Sequence, residues 1–75
     1  MKYELEKIGD ELRMLRYKTG KINQLDFINH FDLDISVSAY SAYERGSSRI
    51  KLETLGNIIK KAHNLTLRQF FINIK

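Results

Sequence analysis

The stretch from Ser36 to Gly46 constrains the fold most, because it specifies one short helix with a defined beginning and end. The Ser36 hydroxyl can accept a hydrogen bond from a free backbone N–H of the first helical turn. Gly46 can adopt the left-handed backbone conformation that ends many helices. An isolated helix of this length is unstable in water. The stretch therefore predicts a small bundle in which other helices cover one of its faces.

The two sides of this predicted helix differ in character. Helical spacing places three large side chains on one face: Val37, Tyr40 and Tyr43. The opposite face carries small side chains: Ser38, Ser41 and Ala42. We expect the tyrosines to be part of a hydrophobic core, which leaves the small, uncharged face to lie against a partner.

Apolar side chains at intervals of three and four residues predict four further helices. We place them at about residues 3–18, 24–31, 52–63 and 67–73. Local signals mark their ends, since Gly20 stops the first, Asn23 caps the second and Asn64 stops the fourth. Thr66 and Gln69 have the spacing of a capping box at the start of the fifth. No segment alternates as a strand does, so residues 1–75 are predicted to form one all-α domain.

The charge of the chain favours a polyanionic partner such as nucleic acid. The net charge is +4 and the sequence pI is about 9.5. A basic surface without such a partner explains the same charge equally well. Cysteine is absent, which excludes disulfides and thiolate metal sites and fits the reducing cytoplasm. No apolar run is long enough for a membrane helix, and the charged N-terminal residues do not resemble a secretory signal.

Residue patterns for catalysis and metal binding are missing from the sequence. His30 and His63 are single and lie far apart along the chain, so we expect no metal site. The sequence contains no glycine-rich phosphate loop and no nucleophile at a suitable spacing from a base. We therefore expect the protein not to be an enzyme and to need no cofactor.

A set of residues in a particular order runs through most of the chain. Its first part is Ile8-Gly9, Leu12, Leu15-Arg16 and Gly20, followed by Gln24 and Phe27-Ile28. Its second part is Ser36, Tyr40-Ser41, Glu44-Arg45-Gly46, Leu52 to Leu55, Leu65 and Phe70-Phe71. In order and spacing, the set resembles the lambda-repressor-like, Xre/Cro-type helix-turn-helix family over about residues 8–71. The most specific members are Arg16, Gln24 and Glu44-Arg45-Gly46.

The resemblance implies a compact five-helix DNA-binding domain in which helices 2 and 3 form the helix-turn-helix. Helix 3 would be the recognition helix in the major groove. The base-facing residues would be Val37, Ser38, Ser41 and Ala42. The residues that contact phosphate would be Lys18, Lys21, Gln24, Ser36, Arg45, Arg49 and Lys51. Gln24 would also brace helix 3, and Arg16 and Glu44 would form a structural pair.

Three departures from the family pattern affect the predicted DNA contact. The turn between helices 2 and 3 is about two residues longer than usual, and Asp32 stands where the family has glycine. Asp32 and Asp34 would bring negative charge near phosphates. The base-facing positions lack the arginine, asparagine and glutamine side chains that form bidentate pairs with bases. We therefore expect phosphate contacts and DNA shape to carry more of the recognition.

These patterns predict a sequence-specific, double-stranded DNA-binding transcriptional regulator of the repressor-like, phage-, plasmid- or controller-type kind. A homodimer is expected, because the tail is more apolar than one short helix needs; the predicted dimer contacts are Phe71, Ile72 and Ile74. The alternative is a protein-binding module on the same fold, such as an antirepressor or a partner subunit. The acidic turn and the small, uncharged face of helix 3 favour that alternative.

Overall fold

Five helices form the chain in a computed structural model that describes residues 2–74, with side chains described for residues 5–74. They are α1 (Lys2–Lys18), α2 (Gln24–His30), α3 (Val37–Arg45), α4 (Leu52–His63) and α5 (Leu67–Ile72). Residues 2–74 contain no strand, so the all-α prediction is confirmed. No helix in this part of the chain is both long and apolar enough to cross a bilayer.

Side-chain caps begin three of the helices, as predicted. Asn23 accepts hydrogen bonds from two backbone N–H groups of the first turn of α2. The Ser36 hydroxyl accepts one at 3.1 Å at the start of α3. Thr66 and Gln69 form the reciprocal capping box of α5. The start of α4 differs, since Lys51 occupies its cap position without a side-chain hydrogen bond.

Three helices end in the same way, at a residue in the left-handed conformation. These residues are Asp32 after α2 (φ 54°), Gly46 after α3 (φ 70°) and Asn64 after α4 (φ 54°). The next N–H donates back to an earlier carbonyl at 3.0–3.2 Å, from Leu33 to Ile28, from Ser47 to Ala42 and from Leu65 to Ile59. Asp32 thus adopts the conformation that glycine adopts most easily, which aspartate tolerates better than most residues do.

The core lies between the helices and is rich in aromatic side chains. The largest fully buried side chains are Tyr40, Phe27, Phe70, Leu12, Leu55 and Ile59. The rings of Phe27 and Tyr40 are 5.4 Å apart, which joins α2 to α3. Tyr43 is half-buried and packs against this core, whereas Val37, in the first turn of α3, is 39% exposed.

α1 and α3 approach each other at backbone distance. A Cβ atom at Gly9 would lie 2.3 Å from the Glu44 carbonyl oxygen. At the end of α3, a Cβ atom at Gly46 would lie 2.9 Å from the Cα of Glu6. Only glycine fits this crossing, because a methyl group there would collide with backbone atoms. The close contact holds one side of α3 against α1 and leaves the other side open.

Candidate nucleic-acid interface

A buried ion pair holds α3 in position. The Arg16 guanidinium donates twice to the Glu44 carboxylate, from Nε at 2.7 Å and from Nη2 at 3.0 Å. Both side chains are buried, at 4% and 3% exposure. Gln24 adds a third hydrogen bond, from Nε2 to Glu44 Oε1 at 2.9 Å. One carboxylate therefore connects α1, α2 and α3. We call the side chains of Arg16, Gln24 and Glu44 the brace.

The brace also fixes the loop between α1 and α2. Arg16 Nη1 donates to the backbone carbonyls of Ile22 and, at 3.4 Å, of Lys21. The guanidinium carbon lies 4.8 Å from the centre of the Tyr17 ring. Arg16 thus sets the entry of the chain into α2, where Gln24 is the first residue. Gln24 gives one of its two amide N–H groups to the brace, which leaves one for another acceptor.

Burial and the charges of the brace shift the pKa values of Glu44 and of Tyr40. Burial alone would raise the pKa of the Glu44 carboxyl, but hydrogen bonding by Arg16 and Gln24 lowers it. Burial and the neighbouring Glu44 charge raise the pKa of Tyr40. The Tyr40 hydroxyl is buried and has no hydrogen-bond partner among residues 5–74. Glu44 is therefore an ionised structural group.

The outward face of α3 carries the side chains that the resemblance places opposite bases. Val37 and Ser38 are exposed, whereas Ser41 and Ala42 are half-buried. Ser36 caps the helix with its oxygen, so its O–H proton can still be donated. Arg45 extends along the same face, with Nη1 donating to Ser41 Oγ at 2.5 Å. Its direction could not be read from the sequence, because residue spacing does not determine a rotamer.

Cationic side chains surround this face. Lys18, Arg45, Arg49 and Lys51 are exposed, and Lys21 is half-buried. Within residues 5–74, none of them forms an ion pair with a carboxylate. Around the outward face, these side chains thus present positive charge that no carboxylate of residues 5–74 neutralises through an ion pair.

The acidic loop between α2 and α3 interrupts this positive surface. Asp32 and Asp34 are both exposed. Lys61 of α4 donates from Nζ to the Asp32 backbone carbonyl at 2.7 Å, a contact that the sequence did not indicate. Beside the loop is a groove of about 440 Å³, lined in part by Ile35, Glu53 and Ile58. The loop is therefore fastened to α4 and borders a recess.

The three residues predicted to form a dimer contact do not share one environment. Phe71 and Ile72 are exposed, at 38% and 68%. Ile74 is half-buried and packs against the core. Phe71 and Ile74 also line a groove of about 410 Å³ together with Ile8. Ile72 is therefore the member of the set that is most available to a partner.

The chain matches no protein-family model, no curated protein and no solved structure. Among residues 5–74, no group of three His, Asp or Glu side chains is placed to hold a metal ion.

Proposed function

We propose that the protein is a double-stranded DNA-binding transcriptional regulator that places α3 in the major groove. The observation that carries the proposal is the asymmetry of α3. Tyr40 and Glu44 bury one side against α1 and α2, while the small side chains on the other side face outward. An α-helix with a slim outer face fits the width of the major groove.

In this proposal α2 and α3 form a helix-turn-helix that the brace holds at a set angle. Val37, Ser38, Ser41 and Ala42 meet base edges, where serine can pair with several bases and the apolar groups can touch a thymine methyl. The exposed cations on the flanking segments, Lys18, Arg49 and Lys51, meet phosphates. Lys21, Gln24 and Ser36 have free donors for further backbone contacts.

A lone domain of this size reads few base pairs, so the proposal includes a homodimer that binds two half-sites about 34 Å apart. The apolar C-terminal residues Phe71, Ile72 and Ile74 supply the contact between the two copies. We infer that the regulator acts in the cytoplasm. Whether the bound complex represses or activates depends on the position of its site.

Binding to random duplex DNA tests the proposal directly. We expect a dissociation constant of about 1–100 μM near physiological salt, because non-specific binding is mainly electrostatic. The logarithm of the binding constant should fall linearly with the logarithm of the salt concentration. Arg49→Ala and Lys51→Ala should each lower the slope by about 1. Fluorescence anisotropy with a labelled duplex measures both quantities.

Arg68→Ala is the matched control for this titration. Arg68 is an exposed cation on α5, and α5 packs against α4 rather than against α3. Its removal changes the net charge by the same amount, so its effect on the salt slope should be small. The absence of binding by the unaltered protein even at low salt would refute the DNA-binding proposal.

One observation favours a second candidate, a protein-binding module. The groove of about 440 Å³ beside the acidic loop combines apolar walls, including Leu33 and Ile58, with carboxylates such as Asp34. A recess of this character can receive a side chain from a protein partner. In that case Asp34→Asn and Glu53→Gln would weaken the partner complex, while duplex DNA would not bind at any salt concentration.

A further inference from the structure

The side chain of Arg45 lies against the outer face of α3 instead of extending beyond the end of the helix. Its Nη1 group donates to Ser41 Oγ at 2.5 Å, one helical turn earlier. Arg45 is exposed and Ser41 is half-buried, so the guanidinium sits on the solvent side of the hydroxyl. The hydrogen bond thus holds a planar cation above the middle of the outer face.

Helical geometry places Arg45 on the same side as the residues expected to meet bases. Ser38 and Arg45 are seven residues apart, which is close to two full turns, so their Cβ atoms point in nearly the same direction. Tyr40 and Glu44, which are buried, point about 140° and about 100° away from Arg45 around the helix axis. Arg45 is therefore on the exposed part of α3, next to Ser41 of the outer face.

Among the side chains on the outer face, Arg45 alone has the chemistry for strong base discrimination. A guanidinium fork can donate to both O6 and N7 of a guanine, whereas serine reads either kind of base and alanine or valine reads only a methyl group. The fork has five N–H donors, so the bond to Ser41 leaves four for a base. It also limits the rotation of the side chain before DNA arrives.

We propose that Arg45 determines the sequence specificity of this protein by reading a guanine in the major groove, with Ser41 as the residue that orients it. The proposal rests on the proposed function, since it requires α3 to enter the groove. It assigns to Arg45 a base contact in place of the phosphate contact that the family resemblance implies. Each half-site should therefore contain one guanine on which affinity strongly depends.

Selection of bound sequences from a random duplex library tests the proposal. The unaltered protein should enrich sites with an invariant guanine in each half. Arg45→Ala should lose that preference and bind the selected site about ten- to a hundredfold more weakly. Arg49→Ala, which removes the same charge, should lower the affinity for all sequences uniformly and leave the guanine preference unchanged. Ser41→Ala should reduce the guanine preference without removing it.

Modified bases provide a second measurement that does not require an altered protein. Replacement of the selected guanine by 7-deazaguanine removes the N7 acceptor. The unaltered protein should bind the modified site more weakly than the guanine site, whereas the Arg45→Ala variant should bind the two sites equally. Hypoxanthine keeps both O6 and N7, so its substitution should be tolerated. If 7-deazaguanine reduced the affinity of both proteins by the same factor, a residue other than Arg45 would contact the guanine.

The outcomes separate this inference from the proposed function. If the unaltered protein binds no duplex, both the groove-bound α3 and the role of Arg45 are refuted. If it binds with a sequence preference that Arg45→Ala leaves unchanged, DNA binding stands and the assignment of Arg45 is wrong. Circular dichroism checks that the variants are folded, as the exposure of Arg45 leads us to expect.

Discussion

At the scale of single residues, one buried carboxylate organises the N-terminal half of the fold. Glu44 accepts hydrogen bonds from Arg16 on α1 and Gln24 on α2, and it is itself part of α3. Removal of one partner from such a pair leaves an uncompensated charge in the interior, which costs far more than the net contribution of the intact pair.

The brace predicts a large difference in stability between the loss of two ion pairs to which α1 contributes an arginine. Arg16→Ala should lower the free energy of unfolding by about 3–5 kcal/mol, because Glu44 would remain buried and charged. Arg13 pairs with Asp10 at 2.5 Å, but both side chains are exposed, at 40% and 64%. Arg13→Ala should therefore cost at most about 1 kcal/mol. Urea denaturation compares the two variants, and similar losses would contradict the structural role of the brace.

His63 predicts a dependence of stability on pH. Its ring stacks on Phe27 at 5.7 Å, and burial lowers its pKa from the ordinary value of 6.5. The unfolded chain then takes up a proton at a higher pH than the folded chain does. The stabilising contribution of neutral His63 should be fully present well above pH 6.5, and the free energy of unfolding should fall as the pH decreases below that value.

Thermal denaturation from about pH 8 to about pH 5, which brackets the ordinary histidine pKa of about 6.5, measures this effect. His63→Gln should flatten the slope of stability against pH in that range, even though the loss of stacking lowers stability overall. His30→Gln is the matched control, because His30 is exposed on α2. If both variants keep the slope of the unaltered protein, His63 is not its source.

At the scale of helices, the crossing of α1 and α3 depends on the absence of a side chain at Gly9. Gly9 lies inside the helical pattern of α1, where alanine would be favoured by about 1 kcal/mol on helix propensity alone. The structure supplies the reason, since the Glu44 carbonyl oxygen occupies the space that a Cβ atom would need.

Two glycines within helices should respond oppositely to alanine. Gly9→Ala should lower the free energy of unfolding by about 1–3 kcal/mol, because backbone atoms cannot move away from the new methyl group. At Gly56 a Cβ atom would lie 3.7 Å from Leu67 Cγ, an ordinary contact. Gly56→Ala should therefore stabilise the protein by about 0.5–1 kcal/mol. Thermal denaturation compares the two variants. A neutral or stabilising effect of Gly9→Ala would contradict the collision with backbone atoms.

The starts and ends of the helices could be predicted well from the sequence, because they depend on neighbouring residues. Ser36, Asn23 and the Thr66–Gln69 pair cap the helices where they were expected to. The predicted range of α4, residues 52–63, agrees with Leu52–His63. The start of α1 and the ends of α2 and α5 each differ from the prediction by one residue. The end of α2 depends on Asp32, whose left-handed backbone conformation was not predicted.

At the scale of the whole molecule, the exposed apolar side chains limit how two copies can meet. Ile72 is 68% exposed at the end of α5, and Phe71 is 38% exposed beside it. Ile74, in contrast, packs against the core. A substitution at Ile74 would disturb folding as well as association, so Ile72 is the residue that tests the proposed dimer.

Ile72→Asp should convert the proposed dimer into a monomer, because two buried carboxylates would oppose each other across the two-fold axis. Ile22→Asp is the matched control, since Ile22 is 76% exposed but lies in the loop between α1 and α2. It should leave the dimer intact. Sedimentation equilibrium at high micromolar concentration measures both variants. A monomeric unaltered protein at that concentration would refute the dimer.

The candidate site was predictable only in part. Spacing and resemblance picked out Arg16, Glu44 and Gln24 together, and these three side chains meet in the structure. The bond from Lys61 to the loop carbonyl of Asp32 joins residues 29 positions apart, and no sequence pattern paired these two residues. Contacts of this kind arise from the packing of whole helices, which local patterns do not encode.

The sequence by itself determined five helices and most of their ends, because caps and left-handed stops act between residues that are close in the chain. It also determined that α3 has one aromatic and one small face. Only the tertiary structure decided which helices cover the aromatic side of α3, how Gly9 allows the contact with α1 and where the Arg45 side chain lies. Those properties depend on atoms from distant parts of the chain, whose positions are set by packing rather than by local preference.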